Sequence, residues 1–363
     1  MTDDASSAMH LVILGLSITS SWGNGHATTY RALARQLATR GHSITFLERD
    51  VPWYAHNRDM PEPPFATTHV YDSIAELRTS HEGEVREADL VIVGSYVPEG
   101  IAVGEWVTAT AEGVTAFYDI DTPVTLAALS NGGTDYISKT LIPRYDLYLS
   151  FTGGPTLERL EREFGARIAR PLYCSVDTQD YFPESSSARW DLGYLGTYSD
   201  DRQPRLTTLM LEPARSLADR RFVVAGAQYP EAIAWPENVT RITHLPPREH
   251  RAFYNAQRYT LNITRADMIR AGWSPSVRLF EAAACGTPIV SDYWEGLEEF
   301  FEPGRDILIA RSADDTEAFL HDLPEQERLE VGRRGRERIL SRHTAHHRAT
   351  ELEEYAREAS ADR

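Results

Sequence analysis

Short apolar strands alternate with helical stretches along most of the chain, and this alternation constrains the fold more than any other feature. Parallel strands of one sheet need a crossover connection, which is usually a helix. The alternation therefore predicts an α/β fold in which parallel sheets are covered by helices. Apolar strands are predicted at residues 11–16, 43–47, 90–94, 114–118, 147–151, 192–195, 222–225, 239–243, 259–263 and 288–290.

A break in this periodicity divides the predicted strands into two sets. Prolines, turn-forming residues and a serine run occupy residues 171–187, which predicts an interdomain linker there. A first Rossmann-like domain is expected over residues 1–170 and a second over residues 188–340. Residues 328–359 are charged, with apolar residues at helical spacing, and a C-terminal helix is expected over residues 341–363.

Charge and composition bear on the class of function. The 363 residues include 37 lysines and arginines and 54 aspartates and glutamates, so the formal net charge is −17. That sign argues against broad electrostatic capture of nucleic acid or of an anionic membrane surface. Hydrophobic residues make up 42% of the chain, which can build a core in each domain.

Export and membrane insertion are not indicated. No run of about 18 apolar residues occurs, and residues 1–8 lack the charged-then-apolar plan of a signal peptide. Cys174 and Cys285 are the only cysteines, and two in a chain this long give no disulfide framework. Small buried thiols and a cytoplasmic location are therefore expected.

One predicted helix lies in residues 273–292 and has the features of an anion site. Ser274 can cap it, Pro275 can occupy its first position, and Gly286 can end it in a left-handed conformation. The helix start, with Ser276 and Val277, presents free backbone N–H groups to an anion. A carboxylate lies further along the axis, by about 9 Å from the rise per residue. That carboxylate, Glu281, suits a ribose whose pyrophosphate lies at the helix start; the alternative is a buried helix with a solvated glutamate.

The same segment carries a family resemblance. Residues 280–291 (FEAAACGTPIVS) resemble the nucleotide-binding helix of GT4-like GT-B glycosyltransferases. Residues 262–265 (NITR) and 294–304 (WEGLEEFFEPG) resemble the spore-maturation CgeB-type branch. The resemblance implies two Rossmann-like domains facing across a cleft, with C-terminal helices crossing back to the N-terminal domain. It also implies that Glu281 is the ribose-binding second glutamate of an E-x7-E motif, whose first position here is Trp273.

The resemblance also implies where the donor diphosphate binds. The family has a glycine, an arginine and a lysine after the first strand of the second domain. This sequence keeps Gly196, has Thr197 in place of the arginine, and has Arg202 at the lysine spacing. Arg265 and Arg278 are further candidate cations, although Arg278 could form a surface ion pair and Arg202 could lie in a solvated loop. Base recognition would fall to backbone groups of residues 244–247, which include Leu245.

A glycine turn follows the first predicted strand, where a doubly wound sheet places its ligand crevice. Gly23 and Gly25 permit a tight turn there. The turn lacks the third glycine of the dinucleotide fingerprint, and Glu48 only comes near the acidic position, so a dehydrogenase is weakly supported. The resemblance assigns the turn to the acceptor or the donor phosphate. His26 is a candidate general base, because imidazole titrates near neutrality, or it packs at the helix start.

Two carboxylates follow a strand of the first domain. Asp119 and Asp121 are expected to point the same way, where they can bind sugar hydroxyls or activate an acceptor hydroxyl. The alternative is that Asp121 or Thr122 caps the next helix before Pro123. Aromatic side chains in predicted loops are weaker candidates for stacking on an acceptor: Trp22, Trp53, Tyr54 and Tyr96.

These features predict a metal-independent, retaining glycosyltransferase that uses a nucleotide-diphospho-sugar. A UDP-sugar is the expected co-substrate, no cofactor or metal is expected, and the acceptor is a small molecule or glycan. His343, His346 and His347 lack a carboxylate or cysteine to complete a ligand set. Two alternatives remain, a sugar-nucleotide epimerase on the same fold and a catalytically silent sugar-nucleotide-binding protein. The donor base and sugar, the acceptor and the oligomeric state are left open.

Overall fold

The computed structural model describes residues 8–23 and 25–363. The chain forms two compact units. The first consists of Met1–Tyr173 together with Ala345–Arg363, and the second of Cys174–Thr344. Each unit contains one parallel sheet, which confirms the predicted α/β class. Of residues 1–8, in which no signal peptide is expected, residues 1–7 lie outside the described residues.

The first sheet has seven parallel strands in the order β3-β2-β1-β4-β5-β6-β7. Its strands are β1 (His10–Gly15), β2 (Ser43–Arg49), β3 (Thr67–Tyr71), β4 (Leu90–Gly94), β5 (Val114–Asp119), β6 (Leu147–Ser150) and β7 (Ala169–Pro171). The helices between them are α1 (Gly25–Thr39), α2 (Pro52–Ala55), α3 (Ile74–Glu87), α4 (Gly100–Thr110), α5 (Thr122–Asn131) and α6 (Pro155–Phe164). The central strand β4 is buried along its whole length, as expected for a strand covered by helices on both faces.

The second sheet has six strands in the order β10-β9-β8-β11-β12-β13, also parallel. Its strands are β8 (Trp190–Leu195), β9 (Phe222–Ala225), β10 (Val239–Ile242), β11 (Gln257–Asn262), β12 (Ile289–Ser291) and β13 (Leu308–Ile309). Its helices are α7 (Gln203–Leu206), α8 (Glu212–Ser216), α9 (Pro247–Asn255), α10 (Ala266–Ala271), α11 (Val277–Ala284), α12 (Ala313–His321) and α13 (Glu325–Arg342), with a π-helical turn at Thr207–Leu211.

The last helix, α14 (Ala345–Ala361), belongs to the first unit, whereas α13 belongs to the second. Leu352 and Ala356 of α14 are part of the apolar core beneath β1 and β2. Glu353 is 2% exposed and binds Arg40 Nε at 2.5 Å and His42 Nε2 at 2.7 Å. Of the two C-terminal helices, therefore, only α14 completes the N-terminal unit.

All ten predicted strands are present, with bounds shifted by at most two residues. The structure adds β3, β7 and β13, which the apolar pattern did not indicate. β3 is mostly exposed and β13 has two residues, so neither has a continuous apolar run. Across the described ranges, no helix is both long and apolar enough for a bilayer.

Candidate functional site

Strands β8, β11 and β12 are neighbours in the second sheet, and the start of α11 lies at the edge where they end. Ser276 is the N-cap residue, and its hydroxyl donates to Asn262 Oδ1 at 2.8 Å instead of capping the helix. The predicted start at Ser274 and Pro275 is therefore wrong by two residues, because the backbone is still extended at Ser276. The predicted stop is confirmed, since Gly286 has a φ of 74°.

Arg278 ties α11 to the neighbouring strand. Its Nε donates to the carbonyl of Leu195 at 2.5 Å, and Nη1 donates to Asn262 Oδ1 at 2.8 Å. The guanidinium lies 4.9 Å from the centre of the Tyr194 ring. The residue is 8% exposed, so the alternative of a surface ion pair is wrong. Arg278 instead fixes the first turn of α11 beside the loop that begins at Gly196.

That loop requires a glycine at its first position. A Cβ at Gly196 would lie 2.6 Å from Tyr194 Oη and 3.1 Å from Arg278 Nη2. From the other side Tyr229 Oη donates to the Gly196 carbonyl at 2.9 Å. The next residue, Thr197, accepts a hydrogen bond from Arg202 Nη2 at 2.6 Å through its carbonyl. Close packing on both sides therefore shapes the loop predicted to face the diphosphate.

Buried donors without partners mark this edge of the sheet. Within the described ranges, no group binds Arg202 Nε, Arg265 Nε or Tyr194 Oη, although each atom is shielded from solvent. The loops that carry the two arginines are joined, because the amide of Ala266 donates to Asp201 Oδ2 at 2.8 Å. Buried polar groups are nearly always hydrogen-bonded, so these donors are available to a ligand with acceptor oxygens. The arrangement suits an anion, and Arg202 is not simply solvated.

Glu281 lies on the same helix, in a buried cluster of its own. It is 4% exposed and accepts a hydrogen bond from Tyr254 Oη at 2.9 Å. Burial, followed by the charge of Glu281, raises the pKa of Tyr254 well above its usual value, so this phenol stays a donor. His250 lies 3.7 Å from Glu281 through Nδ1, and its Nε2 donates to the Leu245 carbonyl at 3.2 Å. One histidine thus connects the predicted ribose-binding glutamate with the predicted base-binding loop.

Glu48 fixes residues 17–19, which lead into the glycine turn of the first unit, a role that was not predicted from the sequence. This carboxylate is 0% exposed and accepts hydrogen bonds from both hydroxyls and amides of these residues. The donors are Ser17 Oγ at 3.0 Å, the Ile18 amide at 2.8 Å, and the Thr19 amide and Oγ1 at 3.0 and 2.6 Å. Glu48 therefore has no oxygen to offer a ribose, and the dehydrogenase alternative loses its acidic residue.

A second carboxylate fixes the far end of the turn. Asp59 binds Arg31 Nη1 at 2.9 Å and accepts from the Ser21 amide at 2.8 Å. Burial opposes the charge of Asp59, but the hydrogen bonds from Arg31 and Ser21 outweigh it and lower the pKa to about 2. Gly23 has a φ of 61°, and a Cβ added at Gly23 or Gly25 would meet no described atom within 4 Å. Asn24, between them, lies outside the described residues.

His26 is the second residue of α1 and packs edge-on to Tyr96, with ring centres 5.4 Å apart. Burial lowers the pKa of His26 to about 4. The expectation that this imidazole titrates near neutrality is therefore wrong, and it is neutral at physiological pH. Its predicted role as a general base stays a prediction, and a neutral imidazole can still accept a proton.

Asp119 and Asp121 differ in exposure. Asp119 is 0% exposed and accepts from Tyr148 Oη at 2.6 Å and Thr125 Oγ1 at 2.9 Å. Direct contact of Asp119 with an acceptor is excluded in this conformation, which corrects the expectation that both carboxylates face the crevice. Asp121 is half-buried and accepts from Tyr96 Oη at 3.1 Å. Asp121 occupies the N-cap position of α5, but its side chain makes no capping hydrogen bond.

The aromatic residues predicted to stack on an acceptor differ in exposure. Trp22 and Trp53 are 38% and 59% exposed, and their ring centres lie 4.7 Å apart. Tyr54 is buried, and Tyr96 is bound to Asp121. His343, considered above as a metal ligand, packs on the rings of Phe280 and Phe300. The described ranges contain no group of three or more histidine, cysteine or acidic side chains that could bind a metal ion.

Comparison with known proteins bears on the fold. Residues 202–354 match the sequence profile of a family described as glycosyl transferase-like. Sucrose-phosphate synthase from Thermosynechococcus elongatus has a TM-score of 0.69 at 14% identity, covering 98% of this chain and 100% of its own. Anabaena HepE in complex with UDP and glucose has a TM-score of 0.68 at 13% identity, covering 96% and 100%. No curated protein matches the sequence.

An α-glucosyltransferase in complex with UDP-glucose and DNA containing an abasic site has a TM-score of 0.72. Its identity is 12%, with 96% of this chain and 100% of that one covered. Likenesses at such low identity establish the fold alone. The chain therefore has the GT-B fold of these glycosyltransferases, with a glycosyl transferase-like region over residues 202–354.

Proposed function

We propose that the protein is a glycosyltransferase that moves a sugar from a nucleotide-diphospho-sugar to an acceptor hydroxyl. The observation that carries the proposal is the set of buried, unpartnered donors at the edge of the second sheet, in the described part of the chain. Arg202 and Arg265 would neutralise the diphosphate, and the first turn of α11 would contribute its amides. The glycosyl transferase-like profile over the same region supports this assignment.

The donor is proposed to be a UDP-sugar, because HepE and the α-glucosyltransferase bind UDP or UDP-glucose. Glu281 would bind the ribose, and backbone groups around Leu245 would bind the base. Catalysis would follow from stabilising the diphosphate as it leaves and from placing the acceptor beside the anomeric carbon. Two arginines and a helix N-terminus can supply that charge, so the reaction is proposed to need no metal.

The acceptor is proposed to be a small molecule or glycan bound by the first unit. The α-glucosyltransferase binds DNA, but the net charge of −17 disfavours a polyanionic acceptor here. Retention of anomeric configuration, membership of the CgeB-type branch and a cytoplasmic setting are parts of the same proposal, and they rest on the family resemblance and on the two buried cysteines.

One observation favours a second candidate, a silent sugar-nucleotide-binding protein. Trp273 occupies the position of the first glutamate in the family motif and has a φ of 44°. Its indole Nε1 donates to Glu299 Oε1 at 2.5 Å, and a Cβ at Gly296 would lie 2.5 Å from its ring. The side chain is therefore part of the packing. A chain that lacks the first glutamate can bind a donor without turning it over.

The test is incubation with a panel of labelled nucleotide sugars without acceptor. Slow hydrolysis to free sugar supports transfer, an altered nucleotide sugar supports an epimerase, and binding without change supports the silent protein. The anomeric form of the released sugar, followed by NMR before it mutarotates, distinguishes retention from inversion. Binding of none of the panel would contradict the proposal.

Variants at the arginines sharpen the test. Arg202→Met and Arg265→Met should each lower kcat/KM by about 10²–10³, the usual effect of removing one donor from a developing negative charge. Arg333→Met is the matched control, because Arg333 is exposed on α13 and pairs with Glu330 and Glu337. EDTA should leave the rate unchanged. Loss of the rate with EDTA and recovery with Mg²⁺ would contradict the metal-free site.

A further inference from the structure

Arg241, on β10, packs over two aromatic rings and binds the backbone at the end of β9. Its guanidinium lies 4.1 Å from the centre of the Tyr229 ring and 4.4 Å from that of the Trp235 ring. Nη1 donates to the Val224 carbonyl at 2.7 Å, and Nη2 donates to the Gly226 carbonyl at 3.1 Å. Arg241 therefore holds the Tyr229 ring beside the loop that follows β9.

The charge of Arg241 has no counter-ion. The residue is half-buried, and burial lowers its pKa, with no described carboxylate among the groups that oppose this effect. Burial raises the pKa of the neighbouring Tyr229, and the charges of Arg241, Arg202 and Arg278 oppose that rise. Three guanidinium groups therefore surround the Tyr229 hydroxyl.

This hydroxyl sets the orientation of the peptide bond between Gly196 and Thr197. Tyr229 Oη donates to the Gly196 carbonyl at 2.9 Å, and Gly226 packs so closely on the same carbonyl that a Cβ at Gly226 would clash with its oxygen. The described chain has no cis peptide bond, and in a trans peptide the N–H points opposite to the C=O. The Thr197 N–H therefore points away from Tyr229 and Gly226.

That direction leads to the proposed donor site. β8 lies between β9 and β11 in the sheet, so the side opposite the loop after β9 is the side of β11. The first turn of α11 lies on that side, because Arg278 donates to the Leu195 carbonyl and to Asn262 at the end of β11. The Thr197 amide thus faces the region where the diphosphate is proposed to bind.

The other backbone groups of this loop are already hydrogen-bonded. The amides of Gly196 and Tyr198 donate to the carbonyls of Ala225 and Ala227. The Thr197 carbonyl accepts from Arg202 Nη2 at 2.6 Å. Among the described residues, no group accepts a hydrogen bond from the Thr197 amide, and Thr197 is exposed. The loop therefore offers one backbone donor and keeps the carbonyls of Gly196 and Thr197 occupied.

We propose that the Thr197 amide binds an oxygen of the diphosphate, and that Arg241, acting through Tyr229, is the positioning residue for this contact. The assignment rests on the proposed function. It gives a role to the position where the resemblance expects an arginine: the backbone of Thr197 supplies a hydrogen bond, and Arg202 and Arg241 supply positive charge from outside the loop. Arg241 itself does not contact the ligand.

The contact can be observed by NMR of the full chain labelled with ¹⁵N-threonine, with inorganic pyrophosphate and UDP as probes. The Thr197 amide is assigned as the resonance that disappears in Thr197→Ser. Each probe should move this resonance downfield, because the N–H gains a charged acceptor. The shift should saturate with the Kd that calorimetry gives. A Thr197 resonance that does not move at saturation would overturn the contact.

Arg241→Met tests the positioning role. The Kd for pyrophosphate should rise by about 10–150-fold, the effect of losing one hydrogen bond to a charged group, and the downfield shift should shrink. Arg338→Met is the matched control, because Arg338 is also half-buried and donates to two backbone carbonyls, those of Phe300 and Glu298, both at 3.0 Å. Both variants should lose similar unfolding free energy, but only Arg241→Met should change the Kd and the shift.

Arg241→Lys separates position from charge, because lysine keeps the charge but lacks the planar fork that binds two carbonyls. It should also weaken binding and reduce the shift of Thr197. Native affinity in Arg241→Lys would overturn the positioning role, since charge alone would then attract the anion.

The two probes distinguish failure of this inference from failure of the proposed function. Binding of pyrophosphate with a shift at Thr197, but no binding of UDP, would support the contact and contradict the proposed donor. Binding of UDP without a shift at Thr197 would support the donor and overturn the contact. Binding of neither probe would overturn both.

Discussion

The carboxyl edges of the two sheets present opposite chemistry. At the second sheet, arginine and phenol donors surround the loop at Gly196, and three buried donor atoms have no partner in the described part of the chain. At the first sheet, the central groups are Asp119 and Asp121, which accept hydrogen bonds from Tyr148 Oη and Tyr96 Oη, respectively. The edge of the second sheet has arginine donors that lack a partner in the described residues, and the edge of the first sheet has two carboxylates at one strand end.

This difference in polar groups determines whether an edge favours binding of an anion or uptake of a proton. An edge with unpartnered donors favours binding of a diphosphate, because the diphosphate supplies several acceptor oxygens for hydrogen bonds. An edge where burial raises the pKa of one carboxylate, Asp119, to about 6 favours proton uptake. The same parallel-sheet architecture is therefore proposed to support anion binding in one unit and proton uptake in the other. Changes at one edge should leave the chemistry of the other intact.

The largest effect should come from Asp119→Asn, measured as stability against pH. The folded pKa is about 6 and the ordinary value is 3.8, so the protonated carboxyl stabilises the fold below pH 3.8. This contribution is lost as the pH rises to about 6, and it amounts to about 3 kcal/mol. The asparagine side chain of the variant carries its hydrogens at every pH and should remove this loss.

The measurement is urea unfolding of both proteins at pH 4, 5, 6 and 7. The free energy of unfolding of the native protein should fall relative to the variant across this range. Glu351, whose pKa burial raises to about 7, is common to both and cancels in the difference. A difference that is independent of pH would show that Asp119 is ionised throughout and would remove the contrast between the edges.

The comparison also shows which parts of the molecule the sequence can predict. β4, β9 and the stop at Gly286 follow from local patterns, an apolar run or a glycine after a helix. The burial of Asp119 depends on Tyr148, which lies on the next strand, and on Thr125 of the following helix. Partners from different strands meet only through the strand order, which no local pattern contains.

The same reason explains the misjudged residues of the site. A surface ion pair was left open for Arg278 by the sequence, but Asn262 and Leu195 bind it. Glu48 could be selected as a candidate because it lies near the end of β2, yet residues 17–19 donate hydrogen bonds to both of its oxygens. Composition and spacing indicate candidate residues, but the strand order of the sheet determines which groups they contact.

The second prediction tests the donor edge through Glu281→Ala. Loss of a hydrogen bond to a charged group costs about 1.5–3 kcal/mol, so the Kd for the UDP-sugar should rise by about 10–150-fold. Glu353→Ala is the matched control, since Glu353 is equally buried but lies on α14 in the first unit. Calorimetric titration gives both values. An unchanged Kd for Glu281→Ala would mean that this carboxylate only supports Tyr254 and His250.

The smallest effect should come from Tyr229→Phe. The hydroxyl of Tyr229 donates to the Gly196 carbonyl at 2.9 Å, while its ring lies 4.1 Å from the Arg241 guanidinium. The variant keeps the ring and removes a neutral hydrogen bond, worth about 0.5–1.5 kcal/mol. Because that bond fixes the Gly196 loop, the Kd for the UDP-sugar should rise by about 2–12-fold.

Tyr259→Phe provides the control for this loop contact. Tyr259 Oη also donates to a backbone carbonyl, that of Phe319 at 2.8 Å, and its ring also faces an arginine, Arg328. Both variants should lose similar unfolding free energy, but only Tyr229→Phe should weaken donor binding. Equal donor affinity in the two variants would show that the Gly196 loop keeps its shape without this bond. The packing of Gly196 against Tyr194 and Arg278 would then be sufficient to shape the donor edge.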